Sequence, residues 1–335
     1  MSRPAKILIV GPSWVGDMVM AQSLFSTLKA QADCQLDVLA PAWSLALLAR
    51  MPQVSQTLAM PLGHGQFGLL ERIKLGRQLR AEHYDQAIVL PNSWKSALIP
   101  FFADIPLRTG FVGECRWGLL NDARSLDKRL LTMTVQRFVA LGLPRTAELP
   151  PVCPQPSLAI SPAQQQAVLE KFVLNPAKKV LALCPGAEYG AAKRWPTRYF
   201  AEVAQQKLAE GWQVWLFGSA KDQAVAAEIT AAVPACHDFT GQTALAEAVD
   251  LMSLASVVVS NDSGLMHVAA ALGKHVIALY GSSDPHFTPP LTATADIISL
   301  NLPCSPCFKR DCPLGHTRCL EDLPPSRVLA AIAAL

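Results

Sequence analysis

No apolar run in this chain of 335 residues approaches the roughly 18 consecutive residues of a membrane-crossing helix, although 51% of the residues are hydrophobic and only 16% are charged. The apolar residues are therefore expected to fill the cores of a soluble protein. Arg3 and Lys6 precede an apolar run, but it is only strand-length and leads into Gly11-Pro12 without a signal-cleavage pattern, so a cytoplasmic location is the default expectation. Dense Lys/Arg runs with interleaved aromatics are absent too, which removes nucleic acid from the expected partners. The sequence shows no internal repeat, coiled-coil heptad or low-complexity tract. Two nucleotide-binding signatures are missing as well. A Walker A loop needs Lys and Ser/Thr directly after its second Gly, and Asp17-Met18 follow Gly16 instead. The dinucleotide fingerprint G-x-G-x-x-G fails because position 13 is Ser and Pro12 stiffens the turn, so a redox enzyme loses its main support.

A chain of this length suits two domains, each burying its own core. In the first half, strand-like runs at 7–10, 36–39 and 86–90 alternate with helix-like stretches reaching about Gln31, over 44–50 and over 69–82. Apolar runs bounded by turns and separated by amphipathic helices imply a parallel sheet with crossover helices. Six prolines, at 144, 150, 151, 154, 156 and 162, crowd the next segment and oppose both helix and central strand. The expected division is a first Rossmann-like domain over 1–150, a proline-rich linker over 151–163 and a second Rossmann-like domain over 164–335. Ser161-Pro162 reads as an N-cap and first helical residue, after which strand candidates recur at 180–183, 213–217, 257–260 and 276–280, with a last helix over 325–335. The halves differ in charge, +5 over residues 1–150 and −2 over the remainder. A mildly basic first half suits an anionic substrate or an anionic membrane surface.

Ligands of doubly wound α/β domains sit at the carboxyl ends of strands, and three turns at such ends stand out. Asn261 to His267 follows a buried strand pattern and opens a helix, where unpaired N–H groups and the helix dipole attract anions and where Ser263 and Gly264 admit a phosphate closely. Gly11 to Asp17, including Ser13 and Gly16, is the matching turn of the first half. One such turn per half suggests a cleft that grips a phosphorylated ligand. Asp17 reads either as a partner of the helix dipole or as a general base accepting the proton of an attacking hydroxyl. The third turn, Cys184 to Pro196, carries Gly186, Lys193 and Arg194; the two cations are either solvated surface charges or the groups that neutralise a departing diphosphate.

Taken in order, Gly11 to Met20, Pro91 to Ala97, Cys184 to Gly190, Lys193 to Pro196, Phe217 to Asp222 and Asn261 to Leu272 resemble the ADP-heptose:lipopolysaccharide heptosyltransferases of glycosyltransferase family 9. The resemblance runs through almost the whole chain. It implies a GT-B protein, two Rossmann-like domains facing across a cleft, with the acceptor on the first and ADP-L-glycero-D-manno-heptose on the second. It also implies inversion at the sugar carbon without an obligatory metal. The family's catalytic carboxylate falls on Asp17, its diphosphate-binding lysine on Lys193, and its donor motif on Asp262, Ser263, Gly264 and His267. His267 either bonds the diphosphate or buttresses the turn, and Asp222 either accepts a ribose hydroxyl or starts a helix. Ser13, Gly16, Gly186 and Arg194 complete the expected donor set. Lys95, Arg108 and Arg116 are acceptor candidates for Kdo carboxylates or lipid A phosphates, with surface charge as the competing explanation. Pro91 to Ala97 and Pro61 to Gly65 point to members that add the second heptose of the inner core, to heptosyl-Kdo2-lipid A. Members acting on another core acceptor, a sugar-nucleotide epimerase on the same architecture, and a non-catalytic nucleotide-binding protein are the alternatives. A lipid acceptor implies transient contact with the cytoplasmic face of the inner membrane.

Of nine cysteines, Cys304, Cys307, Cys312 and Cys319 cluster. Their count and spacing fit a four-thiolate structural zinc site, reduced thiols or a redox-labile disulfide. The expected job of this 304–319 loop is to staple the chain near the cleft, outside the chemistry.

Overall fold

The computed structural model describes residues 3–63, 65–175 and 177–335; His64, within the Pro61 to Gly65 segment, lies outside them. The chain divides into two compact units, Met1–Pro156 and Ser157–Leu335. The proline-rich segment is thereby shared: residues 151–156 belong to the first unit and 157–163 to the second.

The first unit holds β1 (Ala5–Val10), β2 (Cys34–Pro41), β3 (Gln56–Met60), β4 (Gln86–Val89), β5 (Leu107–Phe111) and β6 (Asp122–Arg124). The second holds β7 (Val180–Cys184), β8 (Gln213–Leu216), β9 (His237–Asp238), β10 (Val257–Asn261), β11 (His275–Leu279) and β12 (Ala295–Ile298). Both sheets are wholly parallel, with orders β3-β2-β1-β4-β5-β6 and β12-β11-β10-β7-β8-β9. Each is the same doubly wound α/β order, reversing between β1 and β4 in one unit and between β7 and β10 in the other. Such a reversal opens a crevice outside the carboxyl ends of the two strands, because the loops there diverge to opposite faces.

Interior strands are buried on both faces. Every residue of Val180–Cys184 and Val257–Asn261 is inaccessible, as continuous Val/Leu runs between two helix layers require. Edge strands are short and partly exposed, as in Asp122–Arg124 and His237–Asp238. Leu181, Leu183, Phe200, Val214, Leu216, Val257, Val259, Ile277 and Leu279 share the second unit's core. Each such side chain contributes about 1.5–3 kcal/mol of burial. In the first unit the helix Leu69–Leu79 lies close against Leu98–Phe102 because Gly76 has no side chain; a Cβ there would meet the Ile99 carbonyl oxygen at 2.8 Å.

Two bonds fix the segment where the units join. Ser23 Oγ, on the helix Val15–Gln31, donates to the Pro154 carbonyl at 2.6 Å. The Leu158 N–H donates to the Ala271 carbonyl, 2.9 Å away at the end of the helix Gly264–Ala271.

Candidate active site

At the reversal of the second sheet, β10 ends in Asn261 and the chain turns through Asp262 and Ser263 into the helix Gly264–Ala271. Ser263 has extended backbone and no side-chain cap, so the first N–H groups of the helix are left for another acceptor. Lys193 Nζ donates to Asp262 Oδ2 at 2.5 Å, with only 17% and 5% of the two side chains exposed. The pair is placed by its neighbours. Asn261 donates through Nδ2 to the Pro185 carbonyl at 2.7 Å and accepts the Trp195 N–H at 3.0 Å, joining the ends of β7 and β10 to the Lys193 segment. Trp195 is an anchor: fully buried, it packs on Phe200 and donates its indole N–H to the Leu323 carbonyl at 2.9 Å.

His267 lies one turn into that helix and is buried. Burial pushes its pKa down to about 4, the Lys193 charge adds to the fall, and Asp262 opposes it. The imidazole is therefore neutral at physiological pH and supplies one donor and one acceptor, not a second positive charge. Gly186 passes so near Asp222 that any Cβ would collide with the carboxylate. Asp222 Oδ2 accepts from the Ser219 N–H at 2.9 Å and from Ser219 Oγ at 2.8 Å, which is the helix-start role; Oδ1 stays beside the Gly186 loop. Arg194 is half-buried, its Nε has no partner and its Nη2 reaches only the Ala187 carbonyl at 3.5 Å.

In the first unit the reversal lies between the turn Gly11–Trp14, after β1, and the loop Leu90–Lys95, after β4. Gly11 N–H donates to the Leu39 carbonyl and Leu90 N–H to that of Val10, so both loops leave the same edge of the sheet. Ser13 is exposed, and Gly16 and Asp17 fall in the first turn of Val15–Gln31, Asp17 half-buried. Lys95 belongs to the opposing loop and donates to the Gln66 carbonyl at 3.1 Å.

Two acceptor candidates are corrected. Arg116 is completely buried, and its guanidinium donates to the Pro91 carbonyl at 2.6 Å, to Ser96 Oγ at 3.1 Å and to the Phe111 carbonyl. Burial lowers its pKa to about 10, which leaves it charged at pH 7 as an internal brace for the loop after β4. Arg108 sits at the amino end of β5, opposite Ala87, hence at the wrong edge of a parallel sheet. It spends its donors on the Leu119 carbonyl at 2.7 Å and the Ile105 carbonyl at 2.6 Å.

Sequence reasoning assigned no role to Asn261, Tyr189, Ser282 or Ser283. Ser282 and Ser283 come just after Tyr280 and Gly281 at the carboxyl end of β11, are buried, and keep hydroxyls without partners among the described residues. The strand-end rule that found Ser263 applies equally to the small residues after Tyr280. None of the four clustered cysteines is in a disulfide, and among the described residues no group of three or more His, Cys, Asp or Glu is arranged to hold a metal ion. They still share one region. Cys319 is raised first by burial and then by the negative field of Cys304, Cys307 and Cys312, whereas backbone N–H groups, led by that of Thr317, lower Cys312.

Residues 72–318 match the family model for glycosyltransferase family 9 (heptosyltransferase). The chain is 49% identical to lipopolysaccharide heptosyltransferase 2 of Escherichia coli K12, covering 98% of both chains. It is 50% identical to lipooligosaccharide heptosyltransferase 2 of Haemophilus influenzae Rd over 88% of both. Among solved structures it is similar to the E. coli ADP-heptose lps heptosyltransferase II, with a TM-score of 0.86, 44% identity and 98% of both chains covered.

Proposed function

This chain belongs to the heptosyltransferases of glycosyltransferase family 9, and we propose that it moves L-glycero-D-manno-heptose from ADP-heptose to the first heptose of heptosyl-Kdo2-lipid A, with inversion. The observation that carries the reading is the Lys193–Asp262 pair beside an uncapped helix N-terminus at the carboxyl end of β10. A cation and free N–H groups at one strand end suit a nucleoside diphosphate. The acceptor choice rests on relatives that carry the number 2 in their names at about half identity over nearly full length.

In the proposed mechanism Asp17 removes the proton from an acceptor hydroxyl, whose oxygen attacks the anomeric carbon on the face opposite ADP. The bond to the diphosphate oxygen breaks as the new C–O bond forms, and the electron pair leaves with ADP. Negative charge grows on that oxygen, where Lys193 and the N–H groups of Ser263, Gly264 and Leu265 stabilise the transition state more than the ground state. Neutral His267 orients a phosphate oxygen by a hydrogen bond. The acceptor meets the first unit near Lys95, with the protein on the cytoplasmic face of the inner membrane. ADP release is to be followed with acceptors bearing zero, one or two heptoses on Kdo2-lipid A. Preference for the mono-heptosylated acceptor is the expected result, and equal or better turnover of the heptose-free acceptor overturns the assignment.

A further inference from the structure

The cysteine-rich loop is bonded on both sides to the anion-binding segments of the second unit. The Ala192 N–H donates to the Arg310 carbonyl at 2.9 Å, and Tyr189 Oη donates to the Phe308 carbonyl at 2.9 Å. On the other side the Phe308 N–H donates to the Ser282 carbonyl at 2.7 Å, and Ser305 Oγ to that of Gly281. Glycine permits the contact: a Cβ on Gly190 would collide with the Arg310 carbonyl, and one on Gly281 would meet Cys319 Sγ at 3.1 Å. The loop therefore forms a wall of the Lys193 site.

Its side chain at that wall is Arg310. The guanidinium carbon lies 5.3 Å from the centroid of the Tyr189 ring, and Lys193 Nζ lies 5.3 Å from the same centroid, so one aromatic ring holds two cations. Their electrostatic circumstances differ. Lys193 is offset by Asp262, whereas the exposed Arg310 guanidinium is neither ion-paired nor hydrogen-bonded to any described residue. A diphosphate carries more negative charge than an already neutralised lysine can balance, and a planar guanidinium matches two phosphate oxygens at once.

We propose that Arg310 is a donor-binding residue, the second cation on the diphosphate of the nucleotide-sugar. This rests on the ADP-heptose reading above. Binding of ADP and of adenosine is to be titrated for the wild type, Arg310→Ala, Arg310→Lys and Lys309→Ala. Arg310→Ala is expected to weaken ADP by roughly 10- to 100-fold, the value of a lost charge-assisted pair, with adenosine unchanged. Arg310→Lys recovers part of the loss, and Lys309→Ala binds as the wild type. Unchanged ADP affinity in Arg310→Ala overturns the proposal, as does an equal loss for adenosine, which would mark a general disturbance of the loop. A wild type that binds no ADP overturns the donor reading itself and this proposal with it.

Discussion

At the strand reversal of the first unit stands Asp17, a half-buried carboxylate in the first turn of a helix of 17 residues. At the equivalent reversal of the second unit stand Lys193 and Asp262, joined at 2.5 Å in front of a helix of eight residues. The strand orders are the same and so is the crevice they open. What differs is the chemistry that the loops bring to it: a carboxylate in one, a neutralised cation beside an uncapped helix start in the other. Topology supplies the place, and a few side chains decide the use.

This contrast can be broken most directly at Asp17. If Asp17 is the proposed general base, Asp17→Asn is expected to lower kcat by about 1,000-fold, with ADP affinity untouched because the groups proposed to hold the donor belong to the second unit. Stopped ADP release and ADP titration measure the two quantities. Retained turnover, or a parallel loss of ADP binding, would erase the division of labour.

Lys193→Met should cost about 100-fold or more in kcat/KM, together with ADP affinity. It also leaves Asp262 buried with its charge uncompensated, a loss of up to about 3 kcal/mol in urea unfolding. Adding Asp262→Asn is expected to restore stability without restoring rate. Recovery of both would mean that the pair shapes the fold and touches no phosphate.

The first unit also has a buried cation, but one turned inward. Arg116→Met removes three donated bonds from the loop after β4 and is expected to cost about 3 kcal/mol of stability, with ADP binding unaffected. A fully stable variant with weaker acceptor binding would return Arg116 to the acceptor role first expected for it.

The last effect, small over any single pH unit, is a pH dependence in the second unit. His267 has its pKa lowered from 6.5 to about 4 by burial, so the unfolded chain binds its proton first. Stability from this group is complete above about pH 6.5 and is lost as pH falls toward 4, with a slope no steeper than about 1.4 kcal/mol per pH unit. Melting curves across that window should flatten in His267→Gln; an unchanged slope would remove the buried neutral imidazole from the account.

The sequence was informative where physics is repetitive. β1, β2, β4, β7, β8, β10 and β11 are the inner strands of the two sheets, apart from β5, and each announces itself by an apolar run buried on two faces. β3, β6, β9 and β12 are the edges; with little to bury, segments such as Asp-Ala-Arg and His-Asp carry no strand pattern. β5 escaped notice because Arg108 and Gly110 interrupt it. The strand-end turns were legible for the same reason as the strands. The fates of Arg108 and Arg116 were not, since whether an arginine faces solvent or braces backbone carbonyls depends on partners distant in the chain. Nor does spacing reveal that a carbonyl of the cysteine loop sits against Gly190.

Gln155, Pro156 and Ser157 lie between the bond from Ser23 to Pro154 and the bond from Leu158 to Ala271. The first bond is to the helix that begins beside Asp17, the other to the tail of the helix that begins at Gly264. The pyrrolidine ring of Pro156 fixes φ at the last residue of the first unit. The backbone is thus stiffened by ring chemistry at the very residue where one compact unit ends and the next begins.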